Sequence, residues 1–133
     1  MALARRNEAL DAIRDNFNGA LMRVYSGTRP TNADTALSGN TLLAELTLNA
    51  TAFPAASGGV LTANAITGDT SADNTGTASF VRIFESDGTT PICDLSVSTV
   101  AAGTGEVQFP TLEFTAGVAV NVSSFTITYP VGA

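Results

Sequence analysis

A mainly β fold, an antiparallel sandwich of jelly-roll or immunoglobulin-like type with seven to nine strands and one N-terminal α-helix, is predicted by three observations. Helical spacing of apolar residues is confined to the start of the chain. From residue 20 onward apolar residues alternate with period two in short runs. Turn clusters of Gly, Asn, Asp and Pro separate those runs at spacings of about 8–12 residues. The 133 residues suit one domain, divided here into a helical attachment segment (1–19) and a sandwich (20–133).

Residues 3–18 form the predicted helix. Leu3, Leu10, Ile13 and Phe17 recur at helical spacings, with Arg6, Asn7, Asp11, Arg14 and Asp15 mostly on the other side. Asn18-Gly19 is a stop signal, since glycine accepts the left-handed conformation that ends helices. The apolar stripe is narrow, enough for one contact line on a sheet or on a neighbouring subunit.

Residues 20–26 give the first strand, and 27–34 a loop rich in turn residues. In 41–48, Leu42, Ala44, Leu46 and Leu48 share a face opposite Glu45 and Thr47, the alternation of a half-buried strand. A strand at 60–66 follows the turn at Pro54 and Ser57-Gly58-Gly59. Strands at 77–86 and 91–98 flank Asp87-Gly88, the strongest hairpin signal in the chain. Short strands at 106–109 and 111–115 are split by Pro110, which suits an edge or bend. In the last run, 118–129, the apolar phase slips at Ser123-Ser124, predicting a bulge or a sheet-switching bend.

Composition narrows the function. The hydrophobic fraction of 44% is globular, whereas the charged fraction of 14% is low against a usual ~25%. Histidine, lysine and tryptophan are absent. Without His or Lys, serine and cysteine triads, Ser-Lys pairs and Schiff-base lysines cannot be assembled from one chain, and the usual zinc ligand sets are missing. No enzyme activity and no cofactor is expected. A carboxylate pair of glycosidase type survives on residue types alone, but only Tyr25 and Tyr129 accompany it and there is no Trp. The net charge of −6 leaves no basic surface for nucleic acid beyond the arginines of the N-terminal segment. No run approaches the ~20 apolar residues of a membrane span, and no apolar stretch follows the first arginines as a signal peptide requires. A soluble product of a cytoplasm is expected. The triplets at Asn49 and Asn121 then read as chance glycosylation matches.

Three local features remain. Asp69, Ser71 and Asp73 place oxygens at alternate positions, like the start of a calcium loop, but Asn74 stands where glycine belongs and Phe80 where the closing glutamate belongs. A solvated turn is the expected reading. Cys93, alone, reads as a small buried hydrophobe. Arg82 lies in Phe80-Val-Arg-Ile-Phe84. If Phe80 and Phe84 face inward, Arg82 needs a buried partner. If they face outward, the three form a partner-binding patch. A strand buried on both faces, with Arg82 reaching solvent along its stem, is the third possibility.

Leu21-Met-Arg-Val-Tyr25-Ser-Gly-Thr-Arg-Pro30, then Leu42-Leu-Ala-Glu-Leu-Thr-Leu48 and Ala52-Phe53, resembles small virion structural proteins of tailed bacteriophages, of decoration, cement or tail-associated type. The polar loop 69–76, Phe80-Val-Arg82 and Ser124-Phe-Thr-Ile-Thr-Tyr129 extend the likeness over most of the chain. The resemblance implies a virion component made in the bacterial host cytoplasm. It leaves open capsid decoration or a neck, tail or fibre position. The expected partners are other virion proteins, the major capsid protein foremost, and neighbouring copies, with a trimer favoured. Leu3, Arg5, Arg6, Leu10, Ile13, Arg14 and Phe17 are the candidate contact residues, unless the helix packs across its own sheet. A carbohydrate- or receptor-binding module is the competing class.

Overall fold

The computed structural model describes residues 1–129; residues 130–133 of the expected sandwich lie outside the described residues. Helix α1 (Leu3–Arg14) runs into a 3-10 turn (Asp15–Phe17). Nine strands follow: β1 Leu21–Tyr25, β2 Leu42–Thr47, β3 Val60–Thr62, β4 Gly76–Thr77, β5 Phe80–Phe84, β6 Pro91–Thr99, β7 Val107–Phe109, β8 Glu113–Phe114 and β9 Ser124–Thr128. The fold is mainly β with one N-terminal helix, as the sequence predicts. Seven strands form one sheet in the order β2-β1-β5-β6-β7-β9-β3, and β4 pairs with β8. Strand β6 is shared, pairing with β5 through residues up to Ser96 and with β7 from Val97 onward. The apolar residues of both halves join one core cluster, from Met22, Val24 and Ile83 to Leu61, Val107 and Phe125.

One ladder departs from the antiparallel expectation: β6 and β7 are parallel. Parallel neighbours usually need a crossover of a dozen or more residues. Here 100–106 turn straight back. Gly103 N donates to Thr99 O (3.0 Å) and Gly105 N to Ser98 Oγ (2.8 Å). A Cβ on Gly105 would overlap the backbone of Val97 and Ser98, so the return path requires glycine there.

The helical segment stops before Asn18-Gly19 as expected, with Gly19 at φ 65°, but α1 itself ends at Arg14 and the last turn, Asp15–Phe17, is 3-10. Its packing corrects the expected stripe. Leu10 and Phe17 are 2% and 1% exposed, whereas Leu3 and Ile13 are 47% and 42% exposed. Asn7 and Asp11, read as solvent-facing, hold the helix down: Asn7 Oδ1 accepts from Gly59 N (2.9 Å) and Asp11 Oδ1 from Ala56 N (2.8 Å). Phe17, Phe53 and Phe125 form an edge-to-face cluster with centroids 5.3–6.5 Å apart, tying helix, loop and β9 together. The helical segment therefore docks on the core through Leu10 and Phe17.

The Asp87-Gly88 hairpin forms between β5 and β6. Glu85 N donates to Thr90 O, and Asp87 Oδ1 accepts from Thr89 N and Thr90 N. Of the expected run 118–129, only 124–128 form a strand. The preceding residues pair elsewhere, Asp69 with Val120 and Ala72 with Val118, before the chain joins β7 and β3. The apolar phase slip at Ser123-Ser124 thus marks a change of strand partner.

Candidate functional site

The outer face of β2-β1-β5-β6 carries a row of charges in register: Glu45, Arg23, Arg82 and Asp94. Two arginines directly opposite would repel, and each is answered by its own carboxylate. Arg23 Nε bonds Glu45 Oε2 at 2.7 Å. Arg82 Nε bonds Asp94 Oδ1 at 2.6 Å, and its Nη2 bonds Asp94 Oδ2 at 2.9 Å. The Asp94 hydrogen bonds hold the Arg82 guanidinium above its ordinary pKa, against the opposing effect of burial. Tyr25 stacks on Phe80 (5.6 Å), and burial raises its phenol, partly offset by Arg23.

No outward Phe-Arg-Phe patch exists. Phe80 and Arg82 are 0% and 4% exposed: Phe80 stacks on Tyr25, and the 27–40 loop lies over Arg82, with Asn32 O accepting from Arg82 Nη2 and Arg29 Nη2 donating to Asp94 O (2.7 Å). Arg82 ends on Asp94 rather than in solvent.

The expected N-terminal contact set is split. Leu3, Arg5 and Ile13 are exposed, but Leu10 and Phe17 are occupied by the core and cannot reach a partner. The segment is also not basic. Arg5, Arg6 and Arg14 against Glu8, Asp11 and Asp15 give 3 − 3 = 0. Arg5 pairs with Glu8 (2.8 Å), and Arg14 lies 3.5 Å from Asp11 and 3.8 Å from Asp15. Arg6 lies against Gly59, its Nε buried.

The 69–74 segment serves the edge of β2. Asp69 spends one carboxylate oxygen on Ser71 N and the other on Glu45 N (2.9 Å). Asp73 N donates to Leu43 O, and Asn74 Nδ2 to Leu42 O. Both Asp69 oxygens thus accept backbone N–H groups that fix the loop and the edge of β2. No cluster of three or more His, Cys, Asp or Glu able to hold a metal occurs among the described residues.

A groove of about 450 Å³ opens between the end of α1, the start of β6 and the end of β9, lined by Ile13, Phe17, Ile92, Cys93, Leu95 and Ile127 with Glu85 beside them. Cys93 is half-buried in its wall. Burial, then Glu106 and Asp94, push its thiol up to about 12, so it is not an activated nucleophile. Sequence reasoning missed this groove. The mismatch between a long strand at 91–98 and a short one at 106–109 was visible, but not that the two are neighbours.

No helix among the described residues is long and apolar enough to cross a membrane. No family model matches the sequence, and no curated protein or solved structure matches it.

Proposed function

We propose that this chain is a structural protein of a tailed-bacteriophage virion, a decoration or cement protein that binds the assembled shell in contact with neighbouring copies. One observation carries the reading: the segments resembling virion proteins are the framework of the fold. Leu21–Tyr25, Leu42–Thr47 and Phe80–Phe84 are the adjacent strands β1, β2 and β5, and Ser124–Thr128 is β9. The most deeply buried charges, Arg82 and Asp94, serve each other and so hold the sheet rather than a substrate. The covered edge of β2 supports it too, since a protein held at high local density must not add strands at random. On this reading Leu3, Arg5 and Ile13 are the N-terminal residues that face the shell, and the host cytoplasm is where the protein is made.

Electron cryomicroscopy of virions from a phage encoding this chain tests the proposal. Density for the domain on the outer capsid surface is the expected result. Density confined to the neck or tail makes it an adaptor there, and absence from the particle overturns the proposal.

A further inference from the structure

We propose that residues 27–40 form a strap that opens as one body, uncovering the Arg82–Asp94 ion pair while the core stays folded. The proposal concerns this motion alone and stands apart from the virion reading.

Antiparallel neighbours such as β1 and β2 need only about two to five residues between them. Here the chain leaves the sheet after Tyr25 and returns at Leu42, with no helix or strand between. The two ends of the excursion are clasped together. Ser26 N donates to Thr41 O at 3.0 Å, and Asn40 Nδ2 donates to Ser26 O (2.9 Å) and Thr28 O (3.0 Å). A Cβ on Gly27, at φ 86°, would meet Asn40 Nδ2 at 3.1 Å and Gly39 O at 3.2 Å, so the neck closes on glycine. Compact loops with joined ends carry their own packing and hydrogen bonds. In this one Asn32 Oδ1 accepts from Asp34 N, Thr35 N and Thr35 Oγ1, and Asn40 Oδ1 accepts from Ser38 N.

Attachment to the sheet is slight by comparison. None of residues 27–40 is buried. Pro30, Ala33 and Leu37 are half-buried, yet they belong neither to the core cluster nor to the residues packed against it. Beyond the neck, two side-chain bonds join the strap to the sheet among the described residues: Arg29 Nη2 to Asp94 O at 2.7 Å and Arg82 Nη2 to Asn32 O at 3.2 Å.

The covered groups also favour opening. The side chains of Arg82 and Asp94 are 5% and 2% exposed, whereas those of Arg23 and Glu45, which stand in the same row and bond no strap residue, are 23% and 39% exposed. A buried pair has lost hydration that its mutual attraction returns only in part, and lifting the strap readmits water to it. The bonds of the neck and of the Asn32 turn survive the motion because both partners move together. Opening therefore breaks two hydrogen bonds and exposes no side chain of the core cluster. Segments with so few buried apolar contacts open at a much lower free energy than the whole fold.

The test is hydrogen exchange at the Arg82 Nε–H, followed by NMR on the isotope-labelled full chain at mildly acidic pH, with the amides of Met22 and Ile83 as references for the core strands. Local opening exposes little surface, so Arg82 exchange should stay flat across sub-denaturing urea while the core amides accelerate. Arg82 exchange that follows the core amides in urea would overturn the proposal. Arg29→Ala removes one of the two tethers from an exposed position. A lost hydrogen bond to a charged group changes an opening equilibrium about tenfold or more, so Arg82 exchange should rise by that factor with the core amides unchanged. An unchanged Arg82 rate, or equal acceleration of the core amides, refutes the strap as the cover. The Thr35 and Ser38 amides, bonded within the strap, should keep their rates in the same variant; their acceleration would mean fraying rather than movement as one body, and would also overturn the proposal.

Discussion

Arg82 and Asp94 face each other across β5 and β6 in a two-pronged ion pair, with side chains only 5% and 2% exposed. Removing one member leaves the other charged and buried, which costs about 3–5 kcal/mol. Asp94→Leu or Arg82→Met alone should lower urea stability by that amount. The double variant should recover most of the loss, because two well-packed apolar residues replace such pairs at little cost. A double variant no more stable than the worse single one would show that the pair does more than satisfy itself.

Asp87 supplies a pH signature. Hydrogen bonds from the Thr90 hydroxyl, then from the Thr90 and Thr89 amides, lower its carboxyl from the ordinary 3.8 to about 2. The folded value lies below the unfolded one, so the carboxylate stabilises the fold above about pH 4 and that contribution fades as pH falls through about 2. Asp87→Ala should therefore narrow its stability gap to the parent between pH 5 and pH 2. A gap independent of pH would contradict the hairpin geometry.

Gly105→Ala forces a methyl group into the backbone of β6. Overpacking of this kind costs about 1–3 kcal/mol. Thermal melting should show the loss, and amide exchange should show Val107 and Phe109 opening before the β1-β5 ladder.

Phe17 tests what the N-terminal segment does. Phe17→Ala should cost about 3–5 kcal/mol, as for a buried aromatic, and deletion of residues 1–18 should unfold the domain rather than release it intact. Leu3→Ser and Arg5→Glu, both on the exposed surface, should change stability by less than about 0.5 kcal/mol and so report on attachment alone. Normal stability in the Phe17 variant would restore the segment to a detachable arm.

The contrast between α1 and the strands shows what the sequence reveals. The helix start at Leu3, the turn at Asn18-Gly19, the Asp87-Gly88 hairpin and the partner change at Ser123-Ser124 are local signals carried by neighbouring residues, and the structure has each where the pattern puts it, although the helix tightens to a 3-10 turn after Arg14. The helix contacts are not local. Asn7 and Asp11 were read as solvent-facing because polarity signals exposure, yet each accepts a bond from a backbone N–H more than forty residues away. Arg82 was ambiguous for the same reason: only the register against Asp94 names its partner. The β6-β9 groove lies furthest from sequence reading, because it follows from a parallel pairing that a glycine at 105 permits.

The virion assignment is tested most directly by counting this chain in purified phage particles with isotope-standard mass spectrometry. The account predicts a copy number that scales with the subunits of the shell and falls to zero in particles stripped of outer proteins. Particles that contain none of it, from a host that expresses it, would contradict the account.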